Sequence, residues 1–308
     1  MNVLLAGGAS PVEISAFLVA LKMKGETANE LAGFVTSMRE HMLRVDAGDE
    51  VVDNCGTGGD ASGTFNISTT AAFVMAGAGA HVAKHGNRSI SSATGAADVL
   101  EALGVQVTAT PEEAARLIRE VGIGFLFAPA FHPAIRHVQP VRRELKLRTV
   151  FNLLGPMANP AGARSQVLGA PSVDAAELIA KATVVLGCKR VFVVHGHGGL
   201  DEISTTGPTD VFEVAGGKIR RHVWEPADFG VPVAEKSALL GGDATYNASI
   251  VRDILAGEIG PRRDIVVANA AAGLLAAGLA EDLSEGVRLA EKSLDSGAAR
   301  GKLEALTR

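Results

Sequence analysis

Two groups of residues in this chain have the types and spacing to handle a charged ligand. The first lies between Asp53 and Asp98. It contains Gly56-Thr57-Gly58-Gly59-Asp60, then Asn66-Ile67-Ser68-Thr69, then Lys84-His85-Gly86-Asn87-Arg88-Ser89. The glycines follow the short apolar run Val51-Val52 and precede an expected helix. Glycine there lets the backbone approach a ligand and adopt positive φ. Amides at a helix start present donors to an anion. Lys84 and Arg88 add positive charge downstream, so the implied ligand is phosphorylated. The second group is Asp201-Glu202, after His195-Gly196-His197-Gly198-Gly199. A phosphorylated ligand is commonly bound with Mg²⁺, which prefers carboxylate, phosphate and water oxygens. Adjacent carboxylates on one loop suit that ion. His195 and His197 raise a zinc alternative, which two histidines without a third ligand nearby support poorly.

Each feature also has a plainer reading. Gly56 to Asp60 could be only a tight strand-to-helix turn. Ser68 and Thr69 could simply cap a helix. The run Lys84 to Ser89 could be a solvated loop, and Asp201-Glu202 a solvent-facing pair. Arg142 and Arg143, in Pro140-Val141-Arg142-Arg143-Glu144, could face water like most helix arginines. What favours a ligand is the combination, because loops beyond the carboxyl ends of parallel strands are where ligands bind. Asn87 can donate and accept at once, which suits an amine or carboxyl substrate. A planar guanidinium suits an aromatic carboxylate.

These residues need a frame. Residues 11–44 read as two helices: Pro11 follows Ser10 as N-cap, and Thr27 caps the second after Gly25. From residue 50 onward, short apolar strands (Val51-Val52, His81 to Ala83, Val105 to Val107, Phe125 to Phe127, Gln166 to Gly169, Arg190 to His195) alternate with helical stretches near 67–78, 95–103, 111–121 and 173–186. Residues 132–147 read as one basic helix. Val211 to Val214 and Lys218 to Arg220 flank Gly216-Gly217 as a hairpin. The tail from 246 reads as helical, buried over 264–279 and amphipathic over 282–306. The alternation predicts an α/β fold, with a mainly parallel sheet flanked by helices. The all-helical start predicts a separate small layer.

Composition excludes some function classes. Hydrophobic residues make up 47% and charged residues 20% of 308, which fits a soluble globular chain. A net charge of −5 gives no global basic surface for nucleic acid. Cys55 and Cys188 are far apart, so no disulfide framework is expected and the reducing cytoplasm is the natural setting. The apolar stretch Ile265 to Ala280 is too short for a typical membrane span.

The same motifs, together with Phe151-Asn152-Leu153-Leu154-Gly155-Pro156 and Gly199-Leu200-Asp201-Glu202, resemble the anthranilate phosphoribosyltransferase family over nearly the whole chain from Pro11. The resemblance implies a nucleoside phosphorylase-like fold. It places a small helical domain at 1–45, with a returning segment at about 130–148, and a large α/β domain at 50–128 and 149–308. The active site lies in the cleft between. Implied activity is transfer of phosphoribosyl from 5-phosphoribosyl 1-pyrophosphate to anthranilate, by a cytoplasmic homodimer using Mg²⁺.

Implied phosphoribosyl pyrophosphate contacts are Gly56, Gly59, Asp60, Thr64, Asn66, Ile67, Ser68, Thr69, Lys84, His85, Gly86, Asn87, Arg88, Ser89, Ile90, Ser91, Ser92 and Ala96. Anthranilate contacts are Gly56, Asn87, His132 and Arg142, although the residues alone leave a core or capping role open for His132. Metal contacts are Ser68, Asp201 and Glu202. The family often has Ser at the position of Ala96, and Asp at that of Gly198. Met1 begins about one helix later than in typical members, and that helix normally assists the small domain and the dimer contact. Two rivals remain on these grounds. One is a nucleoside phosphorylase of similar architecture, with no reason to keep Arg142 and Asp201-Glu202. The other is a nucleic-acid-binding relative, which would show a basic groove and degraded motifs.

Overall fold

The first helices begin where the sequence caps them. Ser10 accepts from the Glu13 amide while Glu13 accepts from the Ser10 amide, and Thr27 and Glu30 repeat the exchange. Each box satisfies two donors that a helix start leaves orphaned. The computed structural model describes residues 1–58, 62–88 and 94–308. It opens with α1 (Asn2–Leu5), α2 (Pro11–Lys24) and α3 (Ala28–Glu40). The short α1 adds to the two expected helices and buries Leu4 and Leu5.

Strands and helices then alternate: β1 (Val51–Gly56), α4 (Ile67–Gly77), β2 (His81–Gly86), α5 (Ala96–Leu103), α6 (Pro111–Glu120) and β3 (Ile123–Phe127). A helical excursion follows, with α7 (Ala128–Phe131), α8 (Gln139–Leu145) and α9 (Phe151–Met157). The sheet resumes with β4 (Ser165–Gly169), α10 (Val173–Val185), β5 (Arg190–Gly196), β6 (Thr209–Ala215) and β7 (Lys218–Trp224). The chain closes with α11 (Ala244–Leu255), α12 (Pro261–Ala277), α13 (Leu283–Asp295) and α14 (Ala298–Leu306).

The strands form one seven-stranded sheet in the order β3-β2-β1-β4-β5-β6-β7. β1 to β5 run parallel, and β6 and β7 are antiparallel, so the sheet is mainly parallel as expected. Alternate strand residues feed opposite faces. Val167, Phe192 and Val194 pack with α4, α11 and α12, whereas Leu168, Val191 and Val193 pack with α10, α9 and the N-terminal helices. Val138 and Val141 share this second core with Leu5, Ile14 and Leu18, which ties α8 to α1 and α2. Among the described residues, no helix is long and apolar enough to cross a membrane.

Two element expectations fail. Val105 and Val107 are buried but form no strand. The Val105 amide returns to the Leu100 carbonyl to close α5, and the segment packs under helices instead of joining a ladder. The single helix over 132–147 is broken. His132 (φ −118°, ψ 61°) precedes Pro133, and a residue before proline avoids the helical region. A 3₁₀ turn, Pro133–His137, separates it from α8. The tail over 282–306 is helical as expected, in two helices divided where Gly297 turns left-handed at φ 74°.

The β1–β2 ladder matters for the site. It pairs Val51 with His81 and Val52 with Val82, then stops, while β2–β3 pairing continues to Gly86–Phe127 and β1–β4 pairing to Gly56–Gly169. β1 and β2 therefore part from Asp53 onward, at the carboxyl edge of the sheet.

Candidate active site

β1, β2, β4 and β5 each end on glycine: Gly56, Gly86, Gly169 and Gly196. For three of them the reason is the loop laid across them. A Cβ at Gly56 or Gly169 would collide with Asp201, and one at Gly196 with the Glu202 carbonyl. The loop thereby delivers both carboxylates onto the other motifs. Asp201 Oδ2 accepts from the Gly58 amide at 2.7 Å, and Glu202 Oε1 from the Ser68 amide at 2.8 Å. The latter is the first turn of α4, whose N-cap Asn66 makes no side-chain capping bond. Negative charge is favourable at a helix N-terminus.

Lys84 comes from the neighbouring strand and is buried, at 3% exposure. Its ammonium donates to the Asn54 carbonyl and, at 3.4 Å, to Ser68 Oγ. Asn54 Nδ2 donates to the Ser68 carbonyl at 2.8 Å. Lys84, Ser68, Asp201 and Glu202 thus meet around the start of α4. Asn66 is held by Asn247, whose Nδ2 donates to its Oδ1 at 3.0 Å, and Thr64 bridges to Leu240. Ile67 and Thr69 point inward and are buried.

Beyond β2, a Cβ on Gly86 would press on the Phe125 ring and on Ala96 Cβ. Asn87 Oδ1 accepts from the Arg88 amide, and its carbonyl from the Ala97 amide. Arg88, expected to supply charge to phosphate, pairs with Asp98 and Glu101 of α5 and lies over the Phe127 ring. Gly59, Asp60, Ser89, Ile90, Ser91 and Ser92 lie outside the described residues.

The residues expected at an aromatic acid fall on the helical excursion. Arg142 lies over the Phe151 ring at 5.0 Å, and its Nη1 donates to Gln139 Oε1 at 3.2 Å. Among the described residues no carboxylate pairs with it. Burial holds its pKa below the ordinary arginine value. Arg143 is exposed. His132 is buried with its ring 5.2 Å from that of His85, and neither Nε2 has a hydrogen-bond partner among the described residues.

Burial lowers the His85 pKa from 6.5 to about 3, with the neighbouring His132 adding to it, and lowers His132 to about 4. Both rings are therefore neutral at pH 7. In the unfolded chain they bind protons below about 6.5. Between there and the folded values the unfolded state holds more protons, so stability falls as pH falls. The expected cost at pH 5 is about 2 kcal/mol for each ring. Melting curves at pH 7 and pH 5 should show this drop, and His132→Asn should lose part of it. Equal pH sensitivity in variant and wild type would mean His132 is not a buried neutral group.

The zinc alternative finds no support in the geometry. His195 Nδ1 faces the Ala170 carbonyl and His197 Nδ1 faces Thr206 Oγ1. Among the described residues no three His, Cys, Asp or Glu side chains converge on one point. The hard oxygens of Asp201, Glu202 and Ser68 fit Mg²⁺, whose shell is completed by ligand oxygens and water.

Several site residues were not singled out by sequence reasoning. Asp53 is fully buried, and Asn159, Asn54 and Asn247 are nearly so. Arg148 donates to the Gly58 carbonyl on the glycine loop. A usable signal existed for two of them: Asp53-Asn54 is a polar pair directly after the short apolar run Val51-Val52. Asn159 and Asn247 carry no comparable mark.

Residues 48–300 match the model of the glycosyl transferase family α/β domain, and residues 1–42 that of its helical bundle domain. An anthranilate phosphoribosyltransferase of Solibacter usitatus is 59% identical over 309 aligned residues, which cover 99% of this chain and 91% of that one. The crystal structure of the Thermus thermophilus anthranilate phosphoribosyltransferase superposes with a TM-score of 0.95 at 46% identity, covering 99% of this chain and 92% of that one. The Saccharomyces cerevisiae enzyme in complex with PRPP and Mg gives 0.89 at 31% identity, covering 96% and 84%. The same yeast enzyme in complex with 4-fluoroanthranilate gives 0.88 at 30% identity, covering 99% and 89%. With both domains matched and relatives this similar along its length, the chain belongs to the anthranilate phosphoribosyltransferases of the glycosyl transferase family.

Proposed function

We infer that the chain transfers the phosphoribosyl group of 5-phosphoribosyl 1-pyrophosphate to the amine of anthranilate, giving N-(5-phosphoribosyl)anthranilate and pyrophosphate in tryptophan biosynthesis. The observation that carries this is the meeting of Asp201, Glu202, the α4 start and buried Lys84 at the carboxyl edge of the sheet. Following anthranilate fluorescence with and without phosphoribosyl pyrophosphate and Mg²⁺ tests it. Decay only when both are present is expected, and no decay with both present would refute it.

The pyrophosphate lies against the amides of the Gly56 to Gly58 turn and the first turn of α4, with Thr64, Asn66 and Ser68 adding polar atoms. Ile67 and Thr69, whose side chains are buried, contribute backbone only. Lys84 places a fixed positive charge beside the leaving oxygens, in a site where such charge is worth more than in water. Asp201, Glu202 and Ser68 would hold Mg²⁺, which when bound neutralises pyrophosphate charge. An aromatic amine is a neutral nucleophile at pH 7, so the protein's task is to align it with C1 and exclude water. Asn87 and the neutral His132 border the aromatic acid.

Arg142 clamps the anthranilate carboxylate. Its half-buried guanidinium has an aromatic ring and an amide oxygen as neighbours, which leaves its charge for a ligand. A hydrogen bond to a charged group is worth roughly 1.5–3 kcal/mol. Arg142→Ala should therefore weaken anthranilate binding by about ten- to a hundredfold and leave phosphoribosyl pyrophosphate binding nearly unchanged. Arg143→Ala, on an exposed position of the same helix, should be mild. Titrating both variants with both substrates decides it, and equal defects in the two would refute the clamp.

Residues 1–45 with the returning segment at about 130–148 form the small domain in this reading, and the cleft between it and the α/β domain receives anthranilate. A cytoplasmic homodimer is the assembly we propose. Two free cysteines agree with a reducing compartment.

A further inference from the structure

We propose that Asp53, wedged with Asn159 where β1 and β2 part, is a positioning residue for the transfer reaction and sets where Lys84 meets the leaving group. This rests on the reading of Lys84 given above. Beyond Val52–Val82 the β1–β2 ladder is replaced by side chains. Asp53 Oδ1 accepts from the His85 amide at 3.2 Å, and Asp53 Oδ2 from Asn159 Nδ2 at 2.7 Å. The same Asn159 Nδ2 donates to the Ala83 carbonyl at 2.8 Å, and the Ala161 amide donates to Asn159 Oδ1 at 2.8 Å, which fixes the amide's orientation.

The wedge therefore grips the backbone on both sides of Lys84: the carbonyl of Ala83 before it and the amide of His85 after it. The Lys84 ammonium crosses the same gap to the Asn54 carbonyl, next to Asp53 in β1. Lys84 is held at its backbone and at its tip. Without the wedge, β2 could close on β1 in regular register and carry the ammonium away from Ser68.

A carboxylate is a costly choice for a mere spacer. Asp53 is fully buried and Asn159 is 1% exposed, and an ionised carboxyl is retained in such a place only when hydrogen-bonded and charge-matched. Burial pushes the Asp53 carboxyl up, and the largest opposing influence is the positive charge of Lys84, ahead of the bonds from Asn159, His85 and Cys55. Among the described residues, Asp53 touches no position proposed for substrate other than the His85 backbone. It acts through Lys84 and the turn that follows.

The test is a double-mutant cycle. Wild type, Asp53→Asn, Lys84→Ala and the double variant are assayed with Mg²⁺, varying each substrate in turn, after circular dichroism and melting confirm folding. Asparagine keeps an acceptor for the His85 amide but sets a second amide donor against Asn159 and removes the charge opposite Lys84. Asp53→Asn is expected to raise the phosphoribosyl pyrophosphate KM about tenfold and lower kcat, with anthranilate KM within about twofold. In the Lys84→Ala background it should cost less than about threefold more, because residues joined in one hydrogen-bond network couple. Equal rises in both KM values, or full multiplication of the two defects, would assign Asp53 to general stability and overturn the proposal. Asn159→Ser supplies a second route should Asp53→Asn not fold. A defect selective for phosphoribosyl pyrophosphate supports the wedge, and an unselective one overturns it. If wild type transfers nothing, or Lys84→Ala leaves the phosphoribosyl pyrophosphate KM unchanged, the reading of Lys84 itself falls and takes this one with it. If those two hold, failure of the cycle falls on Asp53 alone.

Discussion

Asp201→Asn combined with Glu202→Gln is expected to cut turnover by about a thousandfold while the chain stays folded. Two observations set the direction. The carboxylates lie across glycine-ended strands at a place no side chain at Gly56 or Gly169 could share. Each also sits on an amide that a pyrophosphate could use, at Gly58 and Ser68. Amide oxygens in the variant can still accept those two bonds, so the loop keeps its seat and the fold its stability. What disappears is anionic oxygen for Mg²⁺, and charge neutralisation by a bound metal is worth several kcal/mol in the transition state. At about 1.4 kcal/mol per factor of ten, this gives the stated loss. Mg²⁺-dependent binding of phosphoribosyl pyrophosphate, followed by calorimetry without turnover, should weaken in parallel. Wild-type-like activity at limiting Mg²⁺ would remove the pair from the metal site.

The residues that could be read from the sequence are those whose type is odd for their setting. Glycines at Gly56 to Gly58, a charged run after a short strand and an acidic pair after glycines all conflict with ordinary packing, and the structure brings these segments together. The parallel strands were legible because both faces of each are buried, leaving continuous apolar runs. Val105 to Val107 has the same look, yet the sheet edge there belongs to β3. Nothing local records which of two apolar runs takes a ladder. The partners of Arg88 were not legible for a related reason. Asp98 and Glu101 share one face of α5, but only the packing of that helix beside β2 turns them onto Arg88. The Asp53–Asn159 contact spans 106 residues of sequence and has meaning only once β1 and β2 have parted.

Lys84→Ala should lower kcat by about a hundred- to a thousandfold, the usual cost of losing one preorganised charge stabiliser. The phosphoribosyl pyrophosphate KM should rise too, since leaving-group charge is present in the ground state and grows in the transition state. Anthranilate KM should hardly move. Truncation has a second consequence, because it leaves Asp53 buried without the positive charge that most opposes its desolvation. A buried carboxyl that loses a nearby compensating charge is less well tolerated, so the melting temperature should fall as well. Lys84→Met separates the two effects of truncation, charge and volume. It keeps an unbranched stem in the buried channel and removes only the ammonium. If charge is what the site needs, alanine and methionine variants share the kinetic defect, and methionine recovers part of the lost packing. If methionine restored kcat, or if only the anthranilate KM changed in either variant, Lys84 would be a packing residue and the leaving group would have to find its positive charge elsewhere.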